Sequence, residues 1–368
     1  REDARFITGG GAYLDDLRFE ALTHAVFVRS LHAHARVRSI DTAAARKAPG
    51  VLAVLTASEA GADGLKPLRP YTEANVQTGE PFIFALQPLL AADKVRFVGE
   101  TVALVVAETV AQALDAAELV EVDYDVLPAV TTAAAAKAPG APLISQEVPG
   151  NLCIDWRTGD AAGADAAFAK AAHIITLDLD NHRVTTNPME PRGSVGTFDP
   201  ASGRYTLHVS SQNIHGNRGH AARCLGVEPK DVRFIAPDVG GGFGAKNFIY
   251  AEHVLVAWAS RKVGRPVKWI ASRSEVFLTD HPSRDMRAEA SLALDASGKF
   301  LALKVASAAN LGAYMAAVGG GVPTYQYVHL QGTVYRIPSI SLHVLAVLTN
   351  TTPIGVMRGP GFAETVNI

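Results

Sequence analysis

Hydrophobic and polar positions alternate with a period of two over residues 24–30 (HAVFVRS) and 35–41 (ARVRSID), the pattern of half-buried strands. Between them and the next strand, DTAAARKAPG (41–50) sets an aspartate ahead of three alanines and closes on Pro-Gly, which predicts a short helix. GVLAVLTAS follows as a buried strand, and KVRFVGETVALVVAE (94–108) predicts two strands turning near Gly99. VAQALDAAELVEVDYDVLP predicts a helix and then a strand, whereas 61–82 is rich in Pro, Gly and polar residues and reads as a loop. Residues 1–130 are expected to form one α+β unit.

Residues 131–151 (TTAAAAKAPGAPLISQEVPGN) are low in complexity and read as a linker. Past them the alternation resumes in HIITLDLDNHRV, GSVGTFDP and RYTLHVSSQ. A helix (NRGHAARCLGV), a strand (VRFIAPDV), a glycine loop, a helix (AEHVLVAWASRKVG) and a strand (RPVKWIAS) come next. SLALDASGKFLALKVASAAN and ISLHVLAVLTN look like hairpin strands, so 152–368 is expected to be a mixed α/β domain.

Composition narrows the partners. With 34 Lys and Arg against 36 Asp and Glu, the formal charge is −2, and no basic field points to nucleic acid. Apolar runs such as VALVVA and VLVAWA stop far short of the roughly 20 residues of a membrane span. Cys153 and Cys224 stand alone, without a CxxC pair, so an iron–sulfur cluster within these residues is not expected and buried free thiols are. His182, His215, His220 and His281 show no ligand spacing. A cytoplasmic setting is the expectation, with the periplasm left open.

The densest signal is GGGFGAK (240–246), with four glycines in seven residues. It fits GxGxxG/A after a strand, but the acid that would hold a ribose should end the next strand, where Ser272 and Arg273 stand instead. A Walker loop fails because Lys246 is followed by Asn247 rather than Ser or Thr. A nicotinamide-dependent dehydrogenase is therefore the weaker enzyme reading, and a non-catalytic scaffold the non-enzyme alternative. A phenylalanine bracketed by glycines instead suggests a loop of exposed N–H groups suited to an anionic or oxo ligand.

Here the chain resembles a known family. VGGGFGAK is similar to the cofactor loop of the xanthine dehydrogenase/aldehyde oxidase family, the molybdenum hydroxylases. REDARFITGGGAYLDDL, with VRSLHAHARVRSIDTAAARKAPGVLAVLTASE, resembles that family's hammerhead domain. NPMEPRGSVGTFDPASGRYTLHVSSQN, GRPVKWIASRSE and VMRGPGFAE resemble its later landmarks in the same order. The resemblance implies an α/β protein: an α+β hammerhead domain (1–130), a linker (131–151) and a first molybdopterin-binding domain (152–368). It implies that Gln212 donates its amide to an oxygen on molybdenum. Gly241, Gly242, Phe243 and Gly244 would pass over the metal, and Arg358 would orient an electron-rich substrate. No side chain here is expected to ligate the metal.

Departures shape the expected chemistry. Asn247 stands where purine-oxidising members carry a glutamate, which disfavours xanthine. Gly359 stands where carbon monoxide dehydrogenase carries a copper-holding cysteine, which disfavours carbon monoxide. Glu190 is expected to be structural, paired with Arg192 or backbone, and Glu364 likewise. The resemblance implies oxidative hydroxylation of an aldehyde or N-heterocycle, with water as the oxygen source. The cofactor would be molybdopterin, as the cytosine dinucleotide, with 2Fe–2S and FAD on partner subunits. The family's general-base glutamate belongs to a second cofactor domain, not found in these 368 residues. That domain, as a further segment or polypeptide, is an expected partner, and the isolated chain is expected to be inactive.

Overall fold

The computed structural model describes residues 3–368. In chain order the strands are β1 (Thr23–Arg29), β2 (Ala35–Asp41), β3 (Val51–Thr56), β4 (Lys94–Val95), β5 (Thr101–Ala107) and β6 (Glu121–Val126). Then come β7 (Leu152–Gly159), β8 (His173–Asn181), β9 (Gly193–Asp199), β10 (Arg204–Val209), β11 (Val232–Ile235) and β12 (Val267–Ile270). The last are β13 (Met286–Leu294), β14 (Phe300–Gly312) and β15 (Ser339–Leu348). The chain folds into two compact units, each built from separate stretches. The first comprises residues up to Leu68, Gln87–Leu127 and Thr186–Asp280, and the second Arg69–Leu86, Pro128–Thr185 and His281–Ile368.

The first unit holds a seven-stranded sheet in the order β11-β10-β9-β12-β1-β5-β3 and a small sheet β4-β2-β6. Strand β5 (TVALVVA) is buried at every residue, because apolar cover lies on both its faces. Helix α1 (Val110–Glu118) supplies part of that cover through Ala113 and Ala116, its start capped by the Thr109 hydroxyl on the Gln112 N–H. The edge of β1 is completed by β12, with Thr23 opposite Val267 in a parallel pair. Strands from residues 1–130 therefore share one sheet with later ones instead of closing on themselves. The helix expected over 41–50 shrinks to a 3₁₀ turn at Ala45–Lys47. Pro49 pushes Ala48 out of the helical region (ψ 146°), so the turn cannot propagate.

The second unit holds a five-stranded sheet, β7-β15-β14-β13-β8. Strands β13 and β14 form the expected hairpin, but β15 lies parallel to β14, so it is a crossover strand and not part of a hairpin. Helix α2 (Ala161–Lys170) covers one face through Ala164, packed on Ala293 and Ala302. Strand β8 is the open edge, with Ile174, Ile175 and Leu177 more than half exposed. The segment read as a linker is tied down: Asn151 donates to the Ala136 and Pro142 carbonyls and accepts the Ile144 N–H, and Ala136 and Ile144 are buried. Among the described residues no helix is long and apolar enough to cross a membrane.

Candidate active site

In the first unit, two strand ends converge. Strand β10 runs out into Ser210-Ser211-Gln212, and Asn213 caps helix α3 (Ile214–Leu225) by accepting the Gly216 N–H at 3.0 Å. Strand β11 runs into the glycine loop, which ends before helix α4 (Ala251–Val263). The Gln212 N–H donates to the Lys246 carbonyl at 2.9 Å, and its Oε1 accepts the Gly244 N–H at 2.9 Å. A backbone N–H can only donate, so the carboxamide oxygen must face the loop and Nε2 must face away from it. Gln212 is exposed, and its Nε2 has no partner among the described residues.

The glycines serve this contact. A Cβ on Gly242 would run into the Gln212 carboxamide, and one on Gly240 would lie 2.5 Å from Glu190 Cβ. Gly244 sits at φ 109°, closed to other residues, and Phe243 accepts φ 51° with half its surface exposed. For a bulky residue that conformation costs on the order of 1 kcal/mol. Of the loop N–H groups expected to suit an oxo ligand, that of Gly244 is committed to Gln212. The N–H groups of Gly241, Gly242 and Phe243 carry no partner among the described residues. Three successive N–H groups and one side-chain amide in this part of the chain are therefore left without partners among the described residues.

Below the loop lies a clasp that sequence reasoning missed. Glu190 Oε2 accepts Lys246 Nζ at 2.9 Å, the Gly240 N–H at 2.8 Å and the Ser210 hydroxyl at 2.5 Å. Glu190 is thus structural and paired with backbone, through the Gly240 and Leu14 N–H groups, as one of the two expectations had it, and with Lys246 in place of Arg192. Burial pulls the Lys246 ammonium below its usual range, opposed by the Glu190 charge. Arg192 is fully buried elsewhere: it reaches Asp280 at 2.5 Å, Thr279 at 2.9 Å and Glu252 at 3.4 Å. Its guanidinium lies 3.7 Å from the centre of the Tyr250 ring, and the Tyr250 hydroxyl donates to the Ala245 carbonyl at 2.8 Å. Burial raises the Glu252 carboxyl, but Arg192 and Arg29 outweigh it and hold the group at about 2. The sequence signals for the clasp were Glu190, expected to be structural, and a lysine closing the glycine run, read there only as a failed Walker loop; their pairing with each other was what the sequence did not show.

Arg358 belongs to the second unit and is exposed. Its carbonyl accepts Arg284 Nη2 at 2.9 Å, and Arg284 is held in turn by buried Glu364 at 3.3 Å. The Arg358 side chain has no hydrogen bond or ion pair among the described residues. Asn247 donates its N–H to the Gly244 carbonyl at 3.1 Å and so belongs to the first unit's loop. Cys153 and Cys224 are both free and buried, and burial drives the Cys224 thiol up to about 12.

The dinucleotide reading finds no support in this geometry. Helix α4 begins at Ala251, behind a 3₁₀ turn at Ala245–Asn247, so the glycines do not sit on its N-terminus. Strand β12, which follows α4, pairs with β9 and β1 and not with β11. The donors at Gln212 and Gly241–Phe243 are neutral, and Glu190 is turned into its own clasp. Such a set fits an anionic, oxygen-bearing group such as the oxo face of a molybdenum cofactor.

Fold and donor set define a class: a mixed α/β protein with a glycine loop beside a neutral amide, a donor set suited to an oxygen-rich ligand. Comparisons with known proteins give the family and support the fold. The family model for the molybdopterin cofactor-binding domain matches residues 144–368, and that for the aldehyde oxidase and xanthine dehydrogenase a/b hammerhead domain matches 8–128. The chain belongs to this family, the molybdenum hydroxylases, as large-subunit sequence. It is 36% identical to the carbon monoxide dehydrogenase large chain of Hydrogenophaga pseudoflava, over 99% of this chain and 46% of that protein. It is 34% identical to the nicotine 6-hydroxylase large subunit of Paenarthrobacter nicotinovorans, over 98% of this chain and 44% of that one. The structure of quinoline 2-oxidoreductase from Pseudomonas putida 86 superposes with a TM-score of 0.91 at 36% identity, covering 98% of this chain and 45% of that one. The chain thus spans about half the length of the relatives it matches.

Proposed function

We propose that this chain forms part of the molybdenum-cofactor site of an enzyme that oxidatively hydroxylates an aldehyde or an N-heterocycle, taking its oxygen from water. The observation that carries the reading is the Gln212 carboxamide, whose oxygen is pinned by the Gly244 N–H so that its NH₂ faces outward. When bound, the cofactor supplies the two-electron redox chemistry. Gln212 Nε2 and the N–H groups of Gly241, Gly242 and Phe243 would hold its oxygen atoms as fixed, uncharged donors. Arg358 orients the electron-rich side of the substrate, and the general base comes from large-subunit sequence outside these residues. The pterin is the cytosine dinucleotide form. An iron–sulfur subunit and a FAD subunit would carry the 2Fe–2S and FAD groups that supply the electron-accepting chemistry. The hammerhead domain covers 1–130, joined through 131–151 to the first molybdopterin-binding domain at 152–368. Asn247 and Gly359 set the substrate apart from xanthine and carbon monoxide.

The test uses the enzyme assembled with its remaining large-subunit sequence and redox subunits. Molybdenum content is measured, and aldehydes and N-heterocycles are screened in ¹⁸O-labelled water. Label in the product and a molybdenum-loaded wild type that Gln212→Ala impairs are expected. Product oxygen drawn from O₂, or a Gln212→Ala enzyme equal to wild type as a scaffold would be, sinks the proposal.

A further inference from the structure

We propose that Glu190 and Lys246 act as a positioning clasp that sets the direction of the Gln212 carboxamide; the inference rests on the cofactor-site reading above. A single carboxylate oxygen, Glu190 Oε2, gathers the Gly240 N–H at 2.8 Å, Lys246 Nζ at 2.9 Å and the Ser210 hydroxyl at 2.5 Å. Gly240 opens the glycine run and Lys246 closes it, so one atom pins both ends of the loop. Lys246 Nζ also lies 2.7 Å from Ser210 Oγ, two residues ahead of Gln212 on the strand extension. The same lysine then holds Gln212 through the main chain, its carbonyl accepting the Gln212 N–H at 2.9 Å and the Ser211 hydroxyl at 3.3 Å.

The two strand ends that carry the donor array are thus joined by one buried residue, Lys246, which is 1% exposed. A buried ion pair is weak evidence for stability, because apolar residues of similar volume fill such a space at no greater cost. What an apolar pair cannot reproduce is the directional hold on the Gly240 N–H and Ser210. Releasing either loop end lets the Gly244 N–H leave Gln212 Oε1, and the carboxamide is then free to turn. Neither Glu190 nor Lys246 touches the reacting atoms in this account. Both act through Gln212.

The experiment is a cycle in the assembled enzyme. Lys246→Met is made alone and with Glu190→Gln, the pair leaving no lone buried charge, each in wild-type and Gln212→Ala backgrounds. Molybdenum content, kcat and amide hydrogen exchange over 240–246 are read. The double variant is expected to exchange its loop amides about tenfold faster while the β5 amides hold. Its kcat falls about tenfold beside Gln212 but less than twofold beside Gln212→Ala. Lys246→Arg, which keeps the charge, is expected to restore slow loop exchange in part. Equal kcat losses in both backgrounds, or loop exchange unchanged in every variant, overturn the clasp. A Gln212→Ala enzyme with normal molybdenum and normal rate overturns the cofactor-site reading instead, and loop exchange then still decides the clasp.

Discussion

The carboxamide oxygen of Gln212 and the N–H of Gly244 meet at 2.9 Å, and this one bond decides which end of the amide faces out of the loop. A donor that is neutral and fixed at both ends of its own side chain needs no rearrangement to meet an oxygen-bearing ligand.

Gln212→Glu keeps the acceptor for Gly244 but removes the outward NH₂ and adds a negative charge. Molybdenum content is expected to fall, and kcat of the assembled enzyme by about a hundredfold, the scale of losing one preorganised donor. Metal analysis with steady-state kinetics checks this; a glutamate variant within a few-fold of wild type would count against it.

Gly242→Ala forces its Cβ into the Gln212 carboxamide, which is a movable side chain. The fold survives, with about 1 kcal/mol lost, but Gln212 is turned away from Gly244. Adding Gln212→Ala removes the obstruction, so the double variant is expected to be more stable than Gly242→Ala alone. Denaturant unfolding of the three variants gives the coupling, and simple additivity refutes it.

Arg358 is held through its main chain by Arg284, so truncating its side chain leaves the local backbone in place. Arg358→Ala is expected to keep normal molybdenum content while lowering kcat/KM about ten- to a hundredfold. Unchanged kcat/KM for every accepted substrate would count against a substrate-orienting role for Arg358.

The imidazole of His253 is 1% exposed, and burial, then the charge of Arg192, lowers it from 6.5 to about 3. Between those values the unfolded chain binds the extra proton, so stability is full above pH 6.5 and drains as pH falls. The slope reaches about 1.4 kcal/mol per pH unit. Glu252, lowered from 4.5 to about 2, adds a second loss as pH drops through that lower window. His24 and His208, also lowered by burial, add to the slope of unfolding free energy between pH 7 and 5, so the comparison with His253→Gln isolates this histidine: the variant should flatten the slope in part, and an unaltered slope would clear it of the role.

Expressed without further large-subunit sequence, the chain is expected to retain little molybdenum and to turn over no aldehyde or N-heterocycle. Robust turnover by the isolated 368 residues would place the general base within them.

The alternating strands were legible in the sequence because period-two burial is a local property. The period shows in the BiBiBii burial of β1, and the full burial of β5 in its unbroken apolar run. What was not legible depends on partners distant in sequence. Nothing local marks β12 as the neighbour of β1, or β15 as parallel to β14. The same holds at the loop. Its glycines announced a close approach, but the approaching groups are Gln212 and Glu190, thirty and fifty residues earlier. Composition made 131–151 look loose, whereas one side chain, Asn151, holds three backbone groups of that segment.

The open edge at β8 has a practical bearing. Its outer row of unpaired backbone groups runs beside Ile174, Ile175 and Leu177, with no proline to interrupt it and His173, Asp178 and Asp180 as its charge-bearing side chains. Such a rim is a template for strand-to-strand recruitment. The isolated polypeptide should therefore self-associate as its concentration rises, and its colloidal limit should track that rim more than its near-zero net charge. A lysine at position 175 or 177 is the natural gatekeeper for anyone preparing it in quantity.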